Sequence, residues 1–179
     1  MAKLSKKKIS FLLSGKGSNL LKILEQNLRK KKFFTHSIIS SSSISREIKK
    51  FIKLNGLNSK IYERVSNISS KMLKDADLVF SVGYMKVLNS KVIENQDIIN
   101  LHPSLLPNYK GLMTHKRMLI NNEKNFGFTI HKVSAFLDSG EIVSQKKRVI
   151  KSNNEINLKQ EHLKLEHEYV FKELIKYLN

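Results

Sequence analysis

The chain has 179 residues, of which 40% are hydrophobic, so it is long enough for one domain with its own core and too apolar for intrinsic disorder. It contains no cysteine, which excludes disulfides and thiolate metal sites, and no apolar run approaches the roughly 18 residues of a membrane-spanning helix. The formal net charge is +18, but lysines are scattered along the chain and arginines are few. We therefore expect the positive field to attract small anions, and we expect no nucleic-acid partner. We also expect a cytoplasmic protein with no membrane partner.

Strand-like and helix-like segments alternate through the first half of the chain. The predicted strands are Lys8–Ser14, Phe33–Ile39, Lys60–Val65, Ala76–Gly83 and Asp97–Leu101. The predicted helices between them are Leu20–Lys31, Arg46–Leu54, Ile68–Leu73 and Ser90–Glu94. This alternation is typical of a mostly parallel sheet, and the apolar run in ADLVFSVG indicates a strand that is covered on both faces.

The second half of the chain has fewer and longer elements. We predict a helix over Met113–Asn121, a strand in FGFTIHKVSA, a strand over Ile142–Ile150 and a long final helix over Asn154–Leu178. No repeat or linker interrupts these elements. We therefore predict a single-domain α/β fold of Rossmann-like type over residues 1–179, with helices on both faces of the sheet and a flexible basic segment at residues 1–8.

The segment SGKGSNL lies between the first predicted strand and its helix. Doubly wound sheets bind phosphates at this position, because free backbone N–H groups and the positive helix end point into the crevice. Gly17 lets the backbone approach a ligand closely, and Ser18 and Asn19 add polar side chains. The order of residues is not that of a P-loop, and Leu20 stands where a dinucleotide fingerprint has its third glycine. The segment predicts a phosphate site without a dinucleotide; a tight, capped turn is the alternative.

Two further motifs carry side chains capable of acid–base chemistry. In NLHPSLLP, Asn100 and His102 are two apart on an extended segment, so both can point to one side, and Pro103 holds His102 extended. In HKVSAFLDSG, Asp138 precedes a glycine turn. A structural histidine and a turn-capping aspartate are the alternatives for the single residues. Together the three residues predict an acid–base constellation.

These motifs, together with VGYMKVL and LEHEYV, occur in the order and close to the spacing found in one family of enzymes. In this respect the chain, from about Ile9 to Leu178, resembles the phosphoribosylglycinamide formyltransferases, the folate-dependent enzymes of purine synthesis. The NLHPSLLP and LDSG pair is typical of folate formyltransferases in general, and SGKGSNL narrows the resemblance to this family.

The resemblance implies transfer of a formyl group from 10-formyltetrahydrofolate, the co-substrate, to the amine of phosphoribosylglycinamide, without a metal. Asn100, His102 and Asp138 match the catalytic trio, in which Asn100 and a protonated His102 would donate to the oxyanion and Asp138 would accept the amine proton through a water. The other implied residues are Gly17, Ser18 and Asn19 for the substrate phosphate, Glu166 for the substrate's glycinamide end, and Met85, Lys86, Val87, Leu88, Asn100, Ser134, Ala135, Phe136 and Leu137 for folate. We expect a monomer or a weak homodimer.

The chain also departs from the family pattern. Met113 stands where the family has a histidine, Lys110 stands where proline is common, and the stretch Tyr62–Asp75 is short. Formyltetrahydrofolate hydrolase shares the trio but carries an extra N-terminal domain, and methionyl-tRNA formyltransferase carries a further C-terminal domain. Because neither addition accompanies the predicted domain, we expect the glycinamide ribonucleotide enzyme. A basic α/β binding module without catalysis is the non-enzymatic alternative.

Overall fold

The structure is a computed structural model that describes residues 6–179. Its strands are β1 (Lys8–Leu13), β2 (Phe34–Ser40), β3 (Lys60–Tyr62), β4 (Leu78–Ser81), β5 (Ile98–His102), β6 (Asn125–Lys132) and β7 (Ile142–Val149). Its helices are α1 (Ser18–Lys30), α2 (Arg46–Leu54), α3 (Ser70–Leu73), α4 (Ser90–Asn95), α5 (Thr114–Ile120) and α6 (Glu155–Leu178). Most of the predicted flexible segment at residues 1–8 lies outside the described residues, and Lys8 is already part of β1.

The strands form a mostly parallel sheet. Its seven strands within the described residues follow the order β3-β2-β1-β4-β5-β6-β7. Strand β1 pairs in parallel with β2 and with β4, β2 pairs in parallel with β3, and β6 pairs antiparallel with β7. The predicted α/β fold class is therefore confirmed.

The chain divides into two compact units, one ending at Ile99 and the other running from Asn100 to Tyr177. Strand β5 crosses the boundary between them. The prediction of one domain over residues 1–179 stays a prediction.

The first unit has its core around β1. Phe11 is fully buried, and its ring centroid lies 5.9 Å from that of Phe33 and 6.2 Å from that of Phe80. Helix α1 buries Leu20 and Ile23 on one face, as its helical spacing of apolar residues predicts. Each such side chain contributes about 1.5–3 kcal/mol on burial, so this packing holds the ends of β1 and β4 in place.

The second unit packs α6 and β6 into its core. Strand β6 is buried over six of its eight residues, and α6 buries an apolar stripe that includes Leu158, Leu165 and Leu174. Gly127 allows β6 to approach β7 closely, because a Cβ atom there would lie 2.0 Å from the carbonyl oxygen of Lys146. Strand β7 is largely exposed.

Several predicted element bounds differ from those of the structure. Helix α1 begins at Ser18 and not at Leu20, because Gly17 adopts a left-handed conformation (φ 73°) that turns the chain into the helix earlier. Strand β3 ends at Tyr62 and not at Val65, since Arg64 has a positive φ of 54° and cannot continue a strand. Across residues 6–179, no helix has both the length and the apolar character needed to cross a bilayer.

Candidate active site

Asn100 and His102 lie on the last residues of β5, two positions apart on extended backbone, as predicted. The His102 side chain is only 5% exposed, and its Nε2 lies 2.9 Å from the carbonyl oxygen of Tyr109. Because a carbonyl oxygen only accepts hydrogen bonds, Nε2 carries a proton and donates it to Tyr109. The other ring nitrogen, Nδ1, lies 3.3 Å from Asp138 Oδ2.

Asp138 approaches His102 from the loop that follows β6. Its φ is 46°, a conformation that aspartate tolerates better than most residues, and its side chain is 8% exposed. The backbone N–H of Gly111 donates to its Oδ2 at 2.8 Å. Its Oδ1 lies 3.5 Å from Nε2 of His131. The carboxylate therefore stands between two imidazole rings.

His131 is a site residue that the sequence prediction missed. It is buried at the end of β6, and its Nδ1 donates to the carbonyl oxygen of Lys132 at 2.9 Å. Its Nε2 lies 3.2 Å from Nδ2 of Asn100, which has only N–H groups to offer and so donates. In the alternating segment FGFTIHK a histidine looks like one more core position. The nearby HKVSAFLDSG motif held the signal, because it places a second imidazole seven residues before Asp138.

The two rings are arranged alike around the carboxylate. Each donates one N–H to a backbone carbonyl and turns its second nitrogen towards Asp138. When a ring is neutral, that second nitrogen is a lone-pair acceptor, so a proton that enters the cluster settles beside the carboxylate. The cluster can therefore accept one proton and stabilise the resulting charge.

The pKa directions agree with a cluster that accepts protons. Burial lowers the pKa of His102 below its ordinary value, and this outweighs the hydrogen bond to Tyr109 and the charge of Asp138, which both raise it. Burial acts to raise the pKa of Asp138, but the adjacent His131 ring and the hydrogen bond from the Gly111 N–H, together with nearby His102, hold it below its usual range. At neutral pH the resting cluster thus holds a carboxylate beside a neutral His102 ring.

The other site residues predicted in the second unit lie in two places. Residues 134–137 form the loop between β6 and β7, where Ser134 Oγ donates to the carbonyl oxygen of Phe136 at 3.1 Å and the Phe136 side chain is exposed. Glu166 lies buried on α6, with Oε1 3.5 Å from Nε2 of His162. Met113 has a positive φ (57°) at the start of α5 and is exposed.

The site residues predicted in the first unit lie in two loops. Residues 17–19 form the start of α1, where Gly17 has a φ of 73° and no side chain caps the helix. The positive φ favours glycine here, and a Cβ atom would also lie 2.6 Å from Cδ1 of Ile48, which would have to shift. Residues 85–88 follow β4, where the Met85 N–H donates to Ser14 Oγ at 2.8 Å and the side chains of Met85 and Val87 are exposed.

Known proteins resemble this chain over most of its length. Residues 7–174 match the family model for formyl transferases. A phosphoribosylglycinamide formyltransferase of Haemophilus influenzae is 32% identical over an alignment of 161 residues that covers 79% of this chain and 72% of that protein. The trifunctional purine biosynthetic protein adenosine-3 of Bos taurus is 27% identical over 93% of the chain, but the chain spans only 18% of that longer protein.

The fold also resembles solved structures. The crystal structure of a phosphoribosylglycinamide formyltransferase from Campylobacter jejuni superposes with a TM-score of 0.80 at 29% identity, covering 97% of this chain and 98% of that one. The resemblance predicted from the motifs is thereby confirmed. Because the family model covers nearly the whole sequence, this chain belongs to the formyl transferase family.

Proposed function

We propose that this protein transfers the formyl group of 10-formyltetrahydrofolate to the amine of phosphoribosylglycinamide. The observation that carries the proposal is the carboxylate of Asp138 between the rings of His102 and His131, with the Asn100 amide bonded to the second ring. This arrangement joins a proton acceptor to a hydrogen-bond donor, the two groups that acyl transfer to an amine requires. Family membership and the names of the relatives support the choice of substrates.

The donor in this mechanism is Asn100. The amine nitrogen attacks the formyl carbon, a C–N bond forms and the formyl oxygen becomes an oxyanion. Asn100 donates one amide N–H to His131, and we assign its second N–H to that oxyanion. The tetrahedral intermediate then collapses, the bond between the formyl carbon and the folate nitrogen breaks, and formylated ribonucleotide is released.

The proton acceptor is the pair of His102 and Asp138. The attacking amine must lose a proton, and Nδ1 of His102 beside the carboxylate receives it. The same proton leaves with the folate nitrogen, so charge and atoms balance over the cycle. This role differs from the predicted one, in which protonated His102 donates to the oxyanion, because its Nε2–H is already given to Tyr109.

The start of α1 suits the substrate phosphate. Gly17 opens a helix of 13 residues whose first N–H groups have no side-chain cap, and anions bind such termini through these groups and the helix dipole. We assign residues 17–19 to the phosphate and Glu166 to the glycinamide end. The loops at residues 85–88 and 134–137 present exposed apolar side chains, and we assign them to folate.

Four other expectations remain predictions. Over residues 6–179, no three His, Asp or Glu side chains are grouped so as to hold a metal ion. The expected metal independence, the cytoplasmic location and the monomeric or weakly dimeric state await measurement. The same is true of the prediction that nucleic acid is not a partner.

The test is a formyl-transfer assay with purified protein, formyl-folate and three acceptors in parallel: phosphoribosylglycinamide, charged initiator tRNA and water. We expect transfer to the ribonucleotide alone. Asp138→Asn removes the charge and is expected to abolish most of the rate. The matched control is Asp75→Asn, which changes an exposed aspartate that also has a positive φ (72°) and should leave the rate unchanged. Transfer only to tRNA or to water, or equal rates for both variants, would contradict the proposal.

A further inference from the structure

A second pair of histidines, one buried and one partly buried, lies in the second unit. His115 lies in the first turn of α5 and His162 lies on α6, 47 residues later, yet Nε2 of His115 is 2.9 Å from Nδ1 of His162. Their ring centroids are 4.7 Å apart at an edge-on angle of 71°. His162 is 1% exposed and packs against the ring of Phe126, with centroids 5.4 Å apart. The mechanism described above uses neither ring.

One nitrogen of His162 is left without a hydrogen bond. Its Nε2 is buried and has no hydrogen-bond partner. The acidic oxygen near it is Oε1 of Glu166, one helical turn further along α6, at 3.5 Å. A buried polar group that is not satisfied costs roughly 1–3 kcal/mol, so a chain that places one here needs a compensating reason.

The neighbours of His162 decide which nitrogen carries its proton. If the proton were on Nδ1, the lone pair of Nε2 would face the Glu166 carboxylate across 3.5 Å of buried space, which is repulsive. At His102 the Tyr109 carbonyl enforces such an arrangement by taking the proton of Nε2, whereas Nδ1 of His162 faces another imidazole that can donate to it.

With the proton of His162 on Nε2, that N–H lies beside the Glu166 carboxylate, 3.5 Å from Oε1 and too far for a hydrogen bond, and Nδ1 accepts from Nε2–H of His115. His115 Nδ1 then has Thr114 Oγ1 at 3.4 Å as a hydroxyl donor. In this arrangement Thr114 donates to His115 and His115 donates to His162, which lies next to Glu166.

The series works with neutral rings. Burial, followed by the charges of His115 and His102, lowers the pKa of His162 to about 3. Burial and then Lys159 lower the pKa of His115 to about 4, against the opposing effect of Glu155. At neutral pH the interaction between His162 and Glu166 is therefore that of an N–H dipole with a carboxylate.

We infer that His162, backed by His115, is a positioning residue that orients the Glu166 carboxylate towards the primary amine of the substrate. The inference rests on the proposed function, which assigns Glu166 to the glycinamide end. The buried N–H dipole of His162 attracts one carboxylate oxygen across 3.5 Å and so favours the orientation in which the carboxylate meets a bound ammonium or amine group. Sequence spacing alone does not reveal this pair, because the two rings come from different helices.

Steady-state kinetics test the inference through the separation of KM from kcat. His162→Leu should raise KM for the ribonucleotide about tenfold, with kcat and KM for formyl-folate within about twofold of wild type. His162→Gln, whose amide N–H can replace the lost donor, should recover part of this loss. In a Glu166→Gln background, His162→Leu should add nothing further, since the residue it positions has lost its charge.

The packing control is Val170→Ala, which trims another buried side chain of α6 and should lower the melting temperature without raising KM for the ribonucleotide. An unchanged KM in folded His162→Leu protein would overturn the inference, and so would an equal rise in the Glu166→Gln background. If wild-type protein transfers formyl groups and His162→Leu behaves normally, only this inference fails. If wild-type protein transfers nothing to the ribonucleotide, the proposed function fails.

A measurement that does not depend on activity tests the inference even if the wild-type protein transfers nothing to the ribonucleotide. Nitrogen NMR distinguishes the two imidazole tautomers, and we expect His162 to carry its proton on Nε2 in the wild type. Glu166→Leu removes the carboxylate that selects this tautomer, so the Nε2–H population should fall. A wild-type His162 protonated on Nδ1, or a tautomer that is unaffected by Glu166→Leu, would overturn the inference without reference to catalysis.

Discussion

The pair of His102 and Asp138 and the pair of His162 and Glu166 both lie in the second unit, and they are built differently. His102 and Asp138 are 3.3 Å apart, His102 also bonds a backbone carbonyl, and Asp138 accepts a backbone N–H. His162 and Glu166 are 3.5 Å apart, and the nitrogen that faces the carboxylate has no hydrogen bond. The first pair is held by the backbone around it, whereas the second relies on another side chain, His115.

Protonation separates the two pairs further. Burial lowers the pKa of both histidines, but the Tyr109 carbonyl and the Asp138 charge oppose this at His102. At His162 burial, followed by His115 and His102, lowers the pKa to about 3. A ring that can gain a proton suits general base catalysis, and a ring that stays neutral suits the orientation of a neighbouring group. The comparison teaches that burial alone does not distinguish the two roles; the hydrogen-bond partners do.

The largest expected effect concerns the first pair. His102→Gln removes the proton acceptor while keeping a polar side chain, so kcat should fall by about 10²-fold or more, the range of general acid–base contributions. His36→Gln is the matched control, because it makes the same change at a partly buried histidine on β2 that lies outside the proposed site. Comparable kcat values for the two variants would remove the distinction between the pairs.

A smaller effect is expected at His131. This ring orients the amide of Asn100 and flanks Asp138 but is not assigned the proton of the reaction. His131→Leu should therefore lower kcat by about tenfold, consistent with the loss of one hydrogen bond that orients Asn100. His131→Asn, which can still accept from Asn100, should lose less. If His131→Leu were as damaging as His102→Gln, the assignment of the proton to His102 would need revision.

The second pair should appear in the pH dependence of stability. The folded pKa of His162, about 3, lies below its ordinary 6.5, so the unfolded chain binds more protons at mildly acidic pH. Its contribution to the free energy of unfolding is complete above pH 6.5 and is lost as the pH falls towards 3. The loss should be about 1.4 kcal/mol per pH unit from this one ring, and His115 adds to it above pH 4.

Urea unfolding at a series of pH values measures this slope. His162→Leu should reduce the slope of the unfolding free energy against pH by roughly 1.4 kcal/mol per pH unit between pH 6 and pH 4, the contribution of one bound proton. Asp138 acts at lower pH, since its lowered pKa makes its contribution disappear only below its ordinary 3.8. A slope that is the same in wild type and His162→Leu would show that His162 is protonated in the folded protein.

The sequence predicted most of the fold because alternation and apolar runs depend on local neighbours. The strand-end positions of Asn100 and His102 followed from the same patterns. The element ends were less accurate, since the positive φ angles of Gly17 and Arg64 depend on how the loops pack. Such angles leave no periodic signal in the sequence.

The site was predicted in part for a related reason. Asn100, His102 and Asp138 could be predicted because motifs and a family resemblance carry them. His131 was missed although its motif carried a signal, because its contact with Asn100 joins two strands. His162 could not be predicted, because it acquires its importance from His115 on another helix. Side-chain convergence across elements is a property of the packed structure, and a single sequence does not encode it locally.

The central claim is that Asn100 and His102 serve one transition state, as oxyanion donor and proton acceptor. The most direct measurement is kcat for formyl transfer to phosphoribosylglycinamide in Asn100→Ala, His102→Ala and the double variant, each with a wild-type-like melting transition. We predict that Asn100→Ala lowers kcat by about 10²–10³-fold, and that the double variant loses far less than the product of the two single losses. Near-wild-type turnover in a folded Asn100→Ala or His102→Ala protein would contradict the account.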